Sequence, residues 1–247
     1  MRLLPRSPLL SRLPHVLAAL LAVTLPVAVA QRFSVLPVVL DVNPERSLTT
    51  QTTFTNLDRV PMSFTVEVFE WTSQDGQDVL TPTPDVLVNP ASFTLAPEGK
   101  QVIRLGVRRK PGERELTYRV FIRQAPPAGD AAAPQASGTN VTVLLNLSLP
   151  VYIAAPSAAP QVSYAVRRDG NDLALSVTNA GTRHLTYRDL VVRAGERAVR
   201  VDSKAVLAGG SFLLPLTGWG DWTGELTVTY RTASDEEVVT RVPVPPR

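Results

Sequence analysis

Residues 141–151 read V-T-V-L-L-N-L-S-L-P-V, and every odd position, Val141, Val143, Leu145, Leu147, Leu149 and Val151, is apolar. Side chains of a β-strand alternate between its two faces, so this segment carries one continuous aliphatic row. The opposite row, Thr142, Leu144, Asn146, Ser148 and Pro150, is mostly polar. Just upstream, residues 125–139 read A-P-P-A-G-D-A-A-A-P-Q-A-S-G-T, rich in small residues and proline and without apolar periodicity, which is loop composition. A long aliphatic strand hung from a loose loop can fill the chain's own core or be lent to another chain.

The N-terminus reads as an export signal. Arg2, Arg6 and Arg12 form a basic region, residues 16–27 are mostly apolar, and Ala28-Val29-Ala30 supplies the small-x-small cleavage pattern. Residues 1–30 are therefore expected to be removed, with Gln31 as the mature start. The apolar run is too short for a good bilayer span, so no stable membrane insertion is expected after cleavage. The chain holds 25 Lys+Arg against 22 Asp+Glu, and losing three arginines with no acid brings the mature chain to formal neutrality. Its basic pI thus belongs to the signal and gives no warrant for nucleic-acid binding.

There is no cysteine, so an exported chain of this kind must draw its stability from its core. Prolines number 22 of 247, roughly twice the usual share, and no long segment after Gln31 keeps a helical apolar period. The expected fold is all-β. In residues 31–155 strands are expected over 35–40, 49–56, 62–71, 92–95, 100–107, 116–124 and 140–153. Asn43-Pro44, Asp75-Gly76, Pro97-Glu98-Gly99 and Pro111-Gly112 supply turns. Seven strands match an immunoglobulin-like β-sandwich. A Pro/Ala stretch at 154–160 reads as a short linker. Residues 156–247 then give strands near 161–168, 173–179, 186–192, 198–201, 211–216, 225–231 and 238–242, a second small sandwich. A cleft is expected between the two.

Catalytic chemistry finds little support. Past the signal, His184 is the sole histidine, no G-x-S-x-G elbow occurs, and His/Cys sets for zinc or copper are missing. No nucleotide-binding glycine pattern is present either, so no cofactor and no metal are expected. His184, in N-A-G-T-R-H, reads as a satisfied structural residue.

Four stretches in order then resemble the periplasmic pilus chaperones of the chaperone–usher pathway, in their divergent, non-classical branch. They are L-P-V-V-L-D-V-N-P-E-R-S-L-T-T-Q-T-T-F-T-N (36–56), N-P-A-S-F-T-L-A-P-E-G-K-Q-V-I-R-L (89–105), R-E-L-T-Y-R-V-F-I-R-Q-A-P-P (114–127), and the aliphatic strand ending L-P-V-Y. L-S-V-T-N-A-G-T-R-H (175–184) is similar to a stretch of the family's second half. The resemblance implies a periplasmic, non-enzymatic chaperone with pilus subunits and an outer-membrane usher as partners. It would bind subunits by donor-strand complementation through Val141, Val143, Leu145, Leu147 and Leu149. It also implies an internal ion pair, Arg104 with Glu115, whose third member appears here as Ile153. The family's two basic residues that anchor the subunit's terminal carboxylate align with Val39 and Leu149, so either that role passes to Arg119 or Arg123 or the chain is a diverged paralogue with weaker client capture. The alternative is a secreted two-domain structural or adhesive module with residues 141–149 buried in its own core. A sandwich hydrolase is disfavoured by the missing histidines.

Overall fold

The computed structural model describes residues 32–126 and 143–246, all strands and loops. The expected signal segment and Val141 lie outside the described residues. Ten strands build the first sandwich: β1 Phe33–Leu36, β2 Leu40–Val42, β3 Thr49–Asn56, β4 Met62–Gln74, β5 Gln77–Pro82, β6 Val86–Asn89, β7 Ser92–Leu95, β8 Lys100–Val107, β9 Leu116–Gln124 and β10 Asn146–Ile153. One sheet runs β1-β3-β8-β6. The facing sheet runs β2-β10-β9-β4-β5, with β7 also paired to β4.

Alternation decides which face is inside. In β9, Tyr118, Val120 and Ile122 are fully buried, while Arg119, Phe121 and Arg123 lie on the outer face. Phe54, Phe64, Ile103 and Leu105 meet them from the other strands and complete one core. The expected strand at 35–40 is instead two. The chain pairs with β3 as far as Leu36, crosses at Pro37, and rejoins the other sheet at Leu40, where β2 runs parallel to Val151–Ile153. Thr52 Oγ1 donates to Pro37 O at 2.9 Å and holds the crossing. Strands β5 and β6 are additions to the expected set. β5 is an edge strand with almost every side chain exposed, so it lacks an apolar row to read.

The second sandwich comprises β11 Val162–Asp169, β12 Asp172–Asn179, β13 Leu185–Ala194, β14 Arg197–Val206, β15 Ser211–Leu216, β16 Glu225–Arg231 and β17 Glu237–Pro243. Sheet β11-β12-β15 faces sheet β14-β13-β16-β17 over a core of Leu173, Leu175, Tyr187, Val192, Leu226 and Val228. Each sandwich has one fully buried asparagine at a strand end, Asn56 and Asn179. Asn56 Nδ2 donates to Val60 O, and Asn179 Nδ2 to Arg183 O, both at 2.8 Å, so each amide closes the turn that follows it.

Candidate functional site

β10 pairs along its whole length with β9, from Asn146↔Arg123 to Ile153↔Leu116. On its other side β2 covers only Val151–Ile153. Among the described residues no strand pairs with the Asn146–Pro150 side, so it is an open sheet edge. Antiparallel pairing sends successive peptide groups to opposite sides. Leu145 O accepts the Gln124 N–H at 2.8 Å, so the odd residues face β9 and the N–H groups of Asn146 and Ser148 face the open edge. Pro150 sits on that same side, where its missing N–H costs nothing. The odd side chains point inward. Leu149 and Val151 are core residues, 5% and 0% exposed, whereas Leu145 and Leu147 lie half-buried at the core's margin and Val143 is 72% exposed.

That placement corrects the aliphatic row in two ways. Residues 143–145 lie outside the strand, which is described from Asn146, and Leu149 belongs to the chain's own core, so it is unavailable to a partner. The Leu149 side chain turns inward, whereas neighbouring Pro150 lines the cleft.

The outer face of the β4-β9-β10 region meets the second sandwich. Trp71, Arg119, Pro150 and Tyr152, with Val39 and Asp78, face Thr186, Ser203, Lys204 and Ala205 across a cleft of about 480 Å³. The Arg119 guanidinium lies flat over the Trp71 ring, 3.7 Å from its centroid. Burial pulls the Arg119 pKa down from its ordinary value, with Tyr152 and Asp78 opposing. Neither Arg119 nor Lys204 forms an ion pair among the described residues. Arg123, the other candidate anchor, lies further along β9 toward the opposite pole. It is paired with Glu67 and packed on Phe121, so its charge is already met.

The sandwiches are held together beside this cleft. The Glu115 side chain is fully buried, accepts the His184 backbone N–H, and bonds His184 Nδ1 at 2.8 Å. Its own N–H donates to Thr182 O at 2.9 Å. The His184 ring stacks on Tyr152 at 3.5 Å between centroids and 11° between planes. Burial pushes the Tyr152 hydroxyl up to about 12, against the pull of Arg119 and a hydrogen bond with Thr186. Gly209 allows close approach here: at φ +71° a Cβ would sit 2.7 Å from Arg114 Nη1. The expected Arg104–Glu115 pair is not made. Arg104 lies on β8 in the other sheet, exposed between inward-facing Ile103 and Leu105, and Glu115 takes its partner from the second sandwich. Sequence reasoning also passed over Trp71, Tyr152 and Lys204, which gather at the cleft from positions far apart in the chain.

Residues 30–159, more than half of the chain, match the family described as pili and flagellar-assembly chaperone, PapD N-terminal domain. No curated protein matches the chain in sequence. Among solved structures, it is similar to the chaperone–tip adhesion subunit pre-assembly complex, CsuC–CsuE, from the archaic chaperone-usher Csu pili of Acinetobacter baumannii. That match has TM-score 0.66 and 14% identity, covering 87% of this chain and 100% of that one. The E. coli chaperone DraB gives TM-score 0.58 and 18% identity, covering 87% and 98%. The Salmonella enterica SafA pilin–SafB chaperone complex gives 0.60 and 16%, covering 87% and 97%. Two stacked sandwiches with an open-edged strand beside a cleft define a pilus-chaperone architecture. The chain belongs to the PapD-type pilus-assembly chaperone family.

Proposed function

We propose that this chain is a periplasmic chaperone that lends the open edge of β10 to a pilus subunit and passes that subunit to an outer-membrane usher. The role is binding rather than catalysis. The observation that carries it is the Asn146–Pro150 edge, left without a strand partner while Leu145 and Leu147 stand half-buried beside it. A subunit strand laid on this edge would accept the Asn146 and Ser148 N–H groups and donate to the matching carbonyls. Completing the burial of Leu145 and Leu147 contributes roughly 1 kcal/mol each, and covering Val143 about 1.5 kcal/mol. The loss of rigid-body freedom offsets much of this, which suits a complex made to be handed on.

Export by the segment at residues 1–30 fits the family's compartment, and no helix among the described residues is long and apolar enough to cross a membrane. Of the two candidate anchors, Arg119 is the one that supports capture of a subunit's terminal carboxylate, because it faces the cleft with no acidic partner at contact.

The test is co-production with the exported pilus subunits encoded beside its gene, followed by affinity purification of this chain. A subunit should co-purify with the native chain and be lost from Leu147→Asp, whose free form stays folded. Failure of every neighbouring subunit to co-purify with the native chain would refute the reading.

A further inference from the structure

The inward row of β9 runs Tyr118, Val120, Ile122 and then Gln124, so an amide stands where the pattern calls for a fourth apolar side chain. The register sets Gln124 opposite Phe64 of β4 on one side and, one step beyond Arg123↔Asn146, opposite Leu145 on the other. The Gln124 N–H donates to Leu145 O at 2.8 Å. A regular antiparallel ladder would return the Leu145 N–H to the Gln124 carbonyl. Here it donates instead to Gln124 Oε1, at 3.0 Å.

The reason lies in how β9 ends. Ala125, the next residue, keeps to β4 by donating to Ser63 O at 2.8 Å, and Pro126 has no N–H to offer either neighbour. β10 parts from β9 at this point, and the side-chain amide spans the gap that the backbone leaves. One residue thus holds both backbone groups of Leu145, immediately before the open edge begins at Asn146. An apolar side chain at 124 could fill the margin of the core, but only an acceptor can hold the Leu145 N–H. Residues 143 and 144 are exposed and outside any strand, so no ladder continues upstream to take over.

We infer that Gln124 is a positioning residue for client capture: its amide oxygen fixes the start of the lent edge, so that Leu145 and the Asn146 N–H are set in strand geometry before a client arrives. This rests on the strand-lending reading above. Backbone that is already ordered loses no further freedom on binding, which strengthens the complex.

The test separates the oxygen from the bulk of the side chain. Gln124→Met keeps its length and apolar stem and removes the acceptor, whereas Gln124→Glu keeps an acceptor at the same atom. In the free chain, Gln124→Met should speed amide exchange at Leu145 by at least about tenfold and leave Tyr118 and Val120 protected. Co-produced with the native chain under a different tag, it should capture about one tenth as much of a shared pilus subunit, which is 1.4 kcal/mol. Gln124→Glu should restore both readings. Unchanged Leu145 exchange in Gln124→Met overturns the clamp, and loss of protection at Tyr118 and Val120 as well would make Gln124 a core residue and overturn it too. Faster Leu145 exchange with an equal share of subunit overturns the part of Gln124 in capture while sparing strand lending. A native chain that captures no subunit refutes strand lending, and this inference with it.

Discussion

Replacing Glu115 with alanine should cost about 3 kcal/mol and uncouple the two sandwiches. The Glu115 carboxylate is fully buried, and from there it satisfies both the backbone N–H and Nδ1 of His184. Its removal leaves two polar groups at a closed junction without acceptors, at roughly 1–3 kcal/mol each. Relief of the carboxylate's own desolvation returns part of that, which keeps the total below the upper end of the range for breaking a buried ion pair. Denaturant unfolding, followed by far-ultraviolet circular dichroism and by tryptophan fluorescence, reads the effect. Trp71 reports the first sandwich at the junction and Trp219 and Trp222 report the second, so uncoupling should separate the two probes' midpoints. A double-mutant cycle with His184→Ala should give a coupling of at least about 1 kcal/mol. A Glu115→Ala loss below about 0.5 kcal/mol, additive with His184→Ala, would refute the reasoning.

Leu149→Asp should abolish the native melting transition, because it buries an unpaired charge in the first core; Leu145→Asp, at the core's margin, should melt within a few degrees of the native chain, and similar behaviour of the two variants would contradict the assigned burial. Arg104→Ala should change stability by less than about 0.5 kcal/mol, as measured by denaturant unfolding, since its side chain is exposed and makes no ion pair among the described residues. At high pH, the Tyr118 and Tyr152 hydroxyls, both held up to about 12 chiefly by burial, keep their protons in the folded chain, while the unfolded chain loses them near pH 10. Their contribution is therefore complete below pH 10 and declines as pH rises through 12, so tyrosinate absorbance should grow together with the loss of the circular dichroism signal. Tyrosinate forming near pH 10 in a chain that stays folded would contradict this.

Where one face of a strand is buried, the sequence could be read directly. The expected bounds of β3, β7, β8, β9, β15 and β16 coincide with those observed, because strong turns bracket each of them and, except in Thr-rich β3, apolar residues recur on the buried face. β5 stayed hidden because Q-D-V-L-T-P has no buried row, and β6 because V-L-V-N is a run of apolar residues without alternation. The break at Pro37 was invisible for another reason. The apolar pattern runs on through Leu40 even though the chain changes sheets, and only tertiary pairing separates the halves. At the site, β10 was legible as an aliphatic strand, but the depth of each leucine depends on where β2 ends. Alternation put Leu145, Leu147 and Leu149 on one face and could not tell that only Leu149 is covered. The cleft was the least legible part. Glu115 meets His184 from 69 residues away, and Thr186 faces Arg119 across the cleft only through the packing of two sandwiches. No local periodicity records such contacts.

The measurement that bears most directly on the open edge is residue-resolved amide hydrogen exchange at Asn146 and Ser148, in the free chain and in the chain saturated with a co-purified pilus subunit. In the free chain both amides should exchange fast while Tyr118 and Val120, within the same sheet, stay protected; in the complex both should become protected by a factor of at least about a hundred, the mark of a hydrogen-bonded strand. Protection of Asn146 and Ser148 already present in the free chain, or unchanged fast exchange in the complex, would contradict the account.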